Sequence, residues 1–145
     1  MKVFFIATLF LIFGANVNAQ YRGLKGVTVQ ATTLLYIENN EPKSETVDQV
    51  YAVSFNDNIL THIIYSDGEV SQSQIYQIRN QDNYVDDDKN TIYKFDAVSG
   101  VSGSTYKYEI KIDTDGKLVQ LKITQPSGES SVFKGGISAL KTYIQ

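Results

Sequence analysis

Hydrophobic and polar positions alternate with a period of two along most of the chain. From Thr105 to Asp113, Tyr106, Tyr108, Ile110 and Ile112 fall on one side, with Lys107, Glu109 and Lys111 on the other. Lys117 to Thr124 repeats the pattern, setting Val119, Leu121 and Ile123 against Gln120, Lys122 and Thr124. That period, carried by aromatic and β-branched residues, predicts half-buried strands. Asp115-Gly116 lies between the two runs, and Asp-Gly favours a two-residue type I′ hairpin turn. The turn predicts Ile110 opposite Leu121, Tyr108 opposite Ile123 and Glu109 opposite Lys122, the last an attractive cross-strand pair.

Asp67-Gly68 repeats the device. A tight turn there pairs Tyr65 with Val70, Ile63 with Gln72, Thr61 with Gln74 and Ile59 with Tyr76. Before it, Val47, Tyr51, Val53 and Phe55 alternate, and Asn56-Asp57-Asn58 makes the connection. If Phe55 opposes Ile59, Tyr51 lies beside Ile63 and Val53 beside Thr61. Further runs cover 26–37, 91–99 and a short stretch near 130–133. Breaks are expected at 39–44, which contains Pro42, and at 80–90, 100–104 and 126–128. After Gly135-Gly136, Ile137, Leu140 and Ile144 recur at helical spacing and suit a short C-terminal helix, with a terminal strand as the competing reading. The expected fold is all-β: an antiparallel meander of about eight strands, forming a small barrel or a two-layer sandwich so that its edges are protected.

The first nineteen residues follow a different pattern. Lys2 precedes an apolar run from Val3 to Phe13, and Val17-Asn18-Ala19 places small residues at the −3 and −1 positions of a cleavage site. Residues 1–19 therefore read as a secretory signal peptide cut between Ala19 and Gln20, leaving 20–145 as one β domain. The run is about half the roughly 20 apolar residues a membrane-crossing helix needs. The mature chain, with no second long apolar stretch, is expected in the periplasm or the secreted fraction.

Composition narrows the chemistry. Among 145 residues, 13 are Lys or Arg and 16 Asp or Glu, a charge of −3, so no basic footprint points to nucleic acid. With no Cys, the chain has no disulfide, thiolate metal site or cysteine nucleophile. His62 is the only histidine, and no Gly-x-Ser-x-Gly elbow accompanies it; the strand pattern sets it on the face with Leu60, Ile64, Ser73 and Ile75. No catalytic residue and no cofactor is assigned. Asp82, Asp86, Asp87 and Asp88 crowd one loop. Asp86 and Asp88 are the nearest thing to a calcium site, but the spacing lacks the glycine and glutamate of an EF-hand.

The ten tyrosines are the strongest clue. Tyr51, Tyr65, Tyr76, Tyr106 and Tyr108 fall on the faces expected to point inward, beside Thr61, Gln72 and Gln74. Buried hydroxyls and amides need partners, so a face of this composition resembles the wall of a small-molecule pocket more than a dry core. The expected site comprises Tyr51, Tyr65, Gln72, Gln74, Tyr76, Tyr106 and Tyr108, for a small apolar or aromatic ligand. Val50, Ala52, Leu60, Ile64 and Ile75 supply a second apolar face on the same strands, which suggests a protein-interaction module as the alternative. In strand count and turn-rich meander the chain is similar to small exported carriers of the lipocalin kind. It lacks their Gly-x-Trp signature and their disulfides, so no residue role carries over.

Overall fold

Hairpin turns join every strand to the next in the computed structural model, which describes residues 21–139. The eight antiparallel strands are β1 (Gly26–Glu38), β2 (Glu41–Ser54), β3 (Ile59–Ser66), β4 (Glu69–Val85), β5 (Thr91–Ser99), β6 (Thr105–Ile112), β7 (Val119–Thr124) and β8 (Ser130–Ala139). Each pairs with its neighbours in sequence, and β8 returns to β1, giving a closed barrel in the order β1 to β8. Closure leaves no sheet edge along the barrel wall, which decides between the two expected architectures. The signal peptide and its cut at Ala19/Gln20 lie outside the described residues. Ile137 belongs to β8, so the helix expected there gives way to a strand as far as Ala139, while Leu140 and Ile144 lie outside the described residues. No helix among the described residues is long and apolar enough to cross a membrane.

The β6–β7 register is the one expected, with Ile110 opposite Leu121, Tyr108 opposite Ile123 and Glu109 opposite Lys122. The turn itself is not type I′. Only Gly116 takes a positive φ, 75°, while Gly116 N donates to Asp113 O at 3.1 Å. Asp113 and Asp115 accept hydrogen bonds from the amides of Leu118 and Lys117 at 3.1 and 3.0 Å. These carboxylates satisfy the loop amides, so Asp115 need not enter the left-handed region.

Asp67 and Gly68 do adopt it, at 53° and 80°, as a type I′ turn requires. Asp67→Val should therefore cost about 1–2 kcal/mol in a urea melt, because a β-branched side chain is strained there, whereas Asp67→Asn should be close to neutral. Immediately after this turn the expected register fails. Tyr65 opposes Val70, but the next pair is Ile64 with Gln72, a bulge that shifts all later pairs: His62 opposes Gln74, Thr61 opposes Ile75 and Leu60 opposes Tyr76. The β2–β3 pairing is also displaced by one, with Tyr51 opposite His62 and Val53 opposite Leu60. A one-residue slip exchanges faces. Only β3 is affected, because the two displacements cancel between β2 and β4. Leu60 and His62 thus turn inward, Leu60 being fully buried, while Thr61 and Ile63 turn outward.

Two expected breaks are strand. Asn39 and Asn40, at φ 52° and 62°, make a second type I′ turn, so β2 begins at Glu41 and carries Pro42 opposite Ile37. This stretch tolerates proline because β3 pairs only with Gln49–Ser54, leaving the other side of Pro42 unpaired. β4 likewise runs on to Val85 through an irregularity between Arg79 and Asp82, with Asn80 at φ 54°.

The interior fills from one end. Leu24 is 7% exposed, and its amide donates to the Tyr93 hydroxyl at 3.0 Å. That hydroxyl in turn donates to the Tyr21 carbonyl, so residues 21–25 close the barrel floor. Above the floor, Val29, Ile110, Ile112, Val119 and Leu121 are buried to within 1%. An aromatic series climbs the centre: Tyr93 stacks on Phe55 at 4.6 Å, Phe55 meets Phe95 edge-on at 6.1 Å, and Phe95 stacks on Tyr108 at 5.3 Å. Tyr51 meets Tyr108 edge-on at 6.3 Å and stacks on His62 at 4.2 Å. Offset and edge-on arrangements are favourable beyond the area they bury. The series ends at the opposite mouth.

Candidate functional site

Three adjacent strands each send an inward polar group to that mouth. On β2, Gln49 and Tyr51 sit two residues apart on one face, and the Tyr51 hydroxyl donates to Gln49 Oε1 at 2.9 Å. On β4, the same Gln-x-Tyr spacing recurs, and the Tyr76 hydroxyl donates to Gln74 Oε1 at 2.5 Å. His62 of β3 lies between them, paired with Tyr51 on one side and Gln74 on the other. Its Nε2 is 2.8 Å from Gln49 Oε1. An amide oxygen only accepts, so Nε2 carries the proton and Nδ1 is left as an acceptor.

Tyr51, His62 and Tyr76 border a recess of about 160 Å³ at the mouth, whose remaining walls are Tyr106 and Tyr108 of β6, Ile123 of β7, Ser131 and Phe133 of β8, and Gln125. Tyr108 is 4% exposed, and among the described residues no group hydrogen-bonds its hydroxyl. Among the described residues no side-chain polar atom is both buried and unpaired. The Tyr108 hydroxyl therefore opens onto the recess. No Asp or Glu lines it.

Burial governs the electrostatics. It pushes the Tyr51 and Tyr108 phenols well above their ordinary value, with the neighbouring tyrosines adding to the effect. Tyr76 is raised for the same reason, with Tyr106 contributing. His62 is lowered to about 4 by burial. All four are neutral at physiological pH, because the low dielectric penalises the charged form of each.

No protein-family model matches the chain, and no curated protein matches it. The chemistry of the mouth is therefore read from its side chains. Phenols, a neutral imidazole and the two amides behind them stack and hydrogen-bond with one another.

Of the seven residues expected in the site, Tyr51, Tyr76, Tyr106 and Tyr108 line the recess, and Gln74 supports Tyr76 from behind. Tyr65 and Gln72 do not reach it. Tyr65 lies beyond the bulge, opposite Val70, and Gln72 is exposed opposite Ile64. His62, Gln49 and Phe133 belong to the mouth although the alternation pattern did not select them. The repeated Gln-x-Tyr spacing is a signal for Gln49; His62 carried none, since its face depended on the bulge.

The acidic loop has a local role. Asp86 Oδ1 accepts the amides of Asp88 and Asn90 at 3.0 and 2.9 Å, and Oδ2 accepts the Asn90 side chain at 3.2 Å. Desolvation works against the Asp86 carboxylate, but these hydrogen bonds and the Lys111 charge outweigh it and lower its pKa. Among the described residues no three His, Asp or Glu side chains come together as a metal site. Asp86 and Asp88 shape a turn.

Proposed function

We propose that this protein is an exported, non-enzymatic binding barrel that takes a small aromatic or apolar ligand into its open mouth. Export rests on the leader pattern of Lys2, Val3 to Phe13 and Val17-Asn18-Ala19. The observation that carries the binding reading is the aromatic-walled recess of about 160 Å³ with the buried Tyr108 on its wall, whose hydroxyl has no partner among the described residues. A cavity of roughly 150 Å³ accepts benzene, so the volume suits one ring. The Tyr108 hydroxyl would donate to a polar atom on that ring, with the Tyr51 and Phe133 faces stacking beside it.

The test is direct titration with single-ring compounds carrying one acceptor, such as benzamide. The chain has no Trp, so tyrosine fluorescence gives the readout. Tyr108→Phe keeps the ring and removes the donor, and should weaken binding about five- to ten-fold, the worth of one neutral hydrogen bond. If no such compound binds, and native mass spectrometry of protein from its own host shows only bare chain, the reading is wrong.

A structural or interaction module is the second reading, favoured by the outer face of β2–β4. Val50, Ala52, Thr61 and Ile63 are part-exposed there, beside Ile59 at 42% and Ile75 at 60% exposure, with no charge among them. Sedimentation of the pure protein would show association if this face is used.

A further inference from the structure

The mouth recess has a neighbouring cavity across Ser131 of β8. Ser131 borders the recess, and Ser131 also borders a larger, open groove of about 660 Å³ lined by Leu34, Tyr36 and Ile37 of β1, Glu45 of β2, and the β7–β8 turn with Glu129. Strand pairing relates the two. Phe133 opposes Leu34 across the β8–β1 seam, and Leu34 opposes Glu45 across β1–β2. Leu34 packs on the core, so the row Phe133–Leu34–Glu45 runs along the inward face from the ring recess onto the projecting hairpin. At about 4.8 Å per strand, Glu45 lies roughly 10 Å from Phe133 along this row.

The two compartments differ in charge. The recess has no ionisable carboxyl or amine in its wall, whereas the groove has two charged side chains, both carboxylates, Glu45 and Glu129. Lys43 lies opposite Tyr36 on the same face, but its ammonium is 3.6 Å from Glu41, so the carboxylates of Glu41, Glu45 and Glu129 outnumber it around the groove. The half-buried Tyr36 adds a ring face, which attracts cations through its quadrupole. An elongated ligand would thus meet neutral aromatic surface at one end and negative potential at the other.

Building on the ring-binding reading above, we infer that the physiological ligand is an amphipathic amine: one uncharged aromatic ring in the Tyr51–Tyr108 recess, and a short spacer carrying an ammonium past Ser131 to Glu45 and Glu129. The spacer must bridge roughly two strand widths less the reach of a glutamate, which three or four methylenes satisfy.

Three probes of one length test this: 4-phenylbutylamine, 4-phenylbutan-1-ol and 4-phenylbutyrate, each titrated into the purified protein at low ionic strength. The amine should bind about ten-fold tighter than the carboxylate, with the alcohol between, since exposed carboxylates act modestly and through solvent. In 0.5 M salt the ranking should compress, because screening at that strength acts within a few ångströms. The double variant Glu45→Gln/Glu129→Gln should abolish the ranking while leaving the alcohol's affinity unchanged. Equal binding of all three probes would overturn the amine inference and leave the ring site standing, as would a ranking that survives the double variant. Failure of all three to bind would overturn the ring site and, with it, this extension.

Discussion

Gly135→Ala is expected to destabilise the barrel by about 3 kcal/mol or more, a larger effect than its single added methyl suggests. A β-carbon at Gly135 would lie 1.8 Å from the Gln30 carbonyl oxygen and 2.9 Å from the Ala31 α-carbon. Those are main-chain atoms, so no side chain can swing aside. Relief requires β8 to move away from β1 where Ala31 pairs with Gly135 and Gln30 with Gly136, beside the bulge between Ala31 and Thr33. Overpacking into side chains typically costs about 1–3 kcal/mol; a clash with backbone at the closing seam lies at or above the top of that range. Chemical denaturation would measure the loss. Gly136→Ala is the control: the atom nearest to its added methyl would be the Lys117 carbonyl oxygen at 3.6 Å, ordinary contact. A Gly135→Ala protein as stable as the parent would mean that the seam closes differently.

Acid should weaken the fold through His62 well before most carboxylates protonate. Burial lowers the folded-state pKa from 6.5 to about 4. Between those values the unfolded chain binds a proton that the native chain refuses. Stability is therefore fully present above about pH 6.5 and falls as the pH drops towards 4. The shift corresponds to about 2–3 kcal/mol once partial exposure is discounted. The groups facing His62 from β2 and β4 are Tyr51, Gln49 and Gln74, all uncharged, so none stabilises an imidazolium. His62→Phe keeps a ring against Tyr51 and removes the titration. Urea midpoints of the two proteins should therefore converge or cross as the pH falls from 6.5 to 4.5, with the parent losing more. Parallel profiles would show that His62 does not titrate in this window.

Much of the wall was legible because strand alternation and turn chemistry are local. Asp67-Gly68 and Asp115-Gly116 marked two hairpins, and the β6–β7 register followed from the turn and the Glu109–Lys122 pair. Asn39-Asn40 was as strong a left-handed signal, but Pro42 hid it. A proline excludes a strand only where both sides need hydrogen bonds, and whether β3 reaches that far is not a local property. The face of β3 was misread for a related reason: a bulge after Tyr65 leaves no mark in the side-chain pattern, because Ser71, the residue left over, suits either alignment. That single inserted residue moves His62 from the outer wall into the mouth.

The sequence by itself determined the eight-strand meander, the tyrosines on the inner faces of β2, β4 and β6, and the lack of any thiol chemistry. These follow from a two-residue period and from composition, which need no knowledge of distant contacts. Tertiary structure alone decided that the meander closes as a barrel, because closure depends on β8 meeting β1 about a hundred residues away in sequence. It also decided which tyrosines share a recess, and that Leu24 and Tyr93 seal the floor at the other end. Shape at the mouth is a sum over eight registers. One bulge in one of them is enough to put an imidazole at the site in place of a threonine.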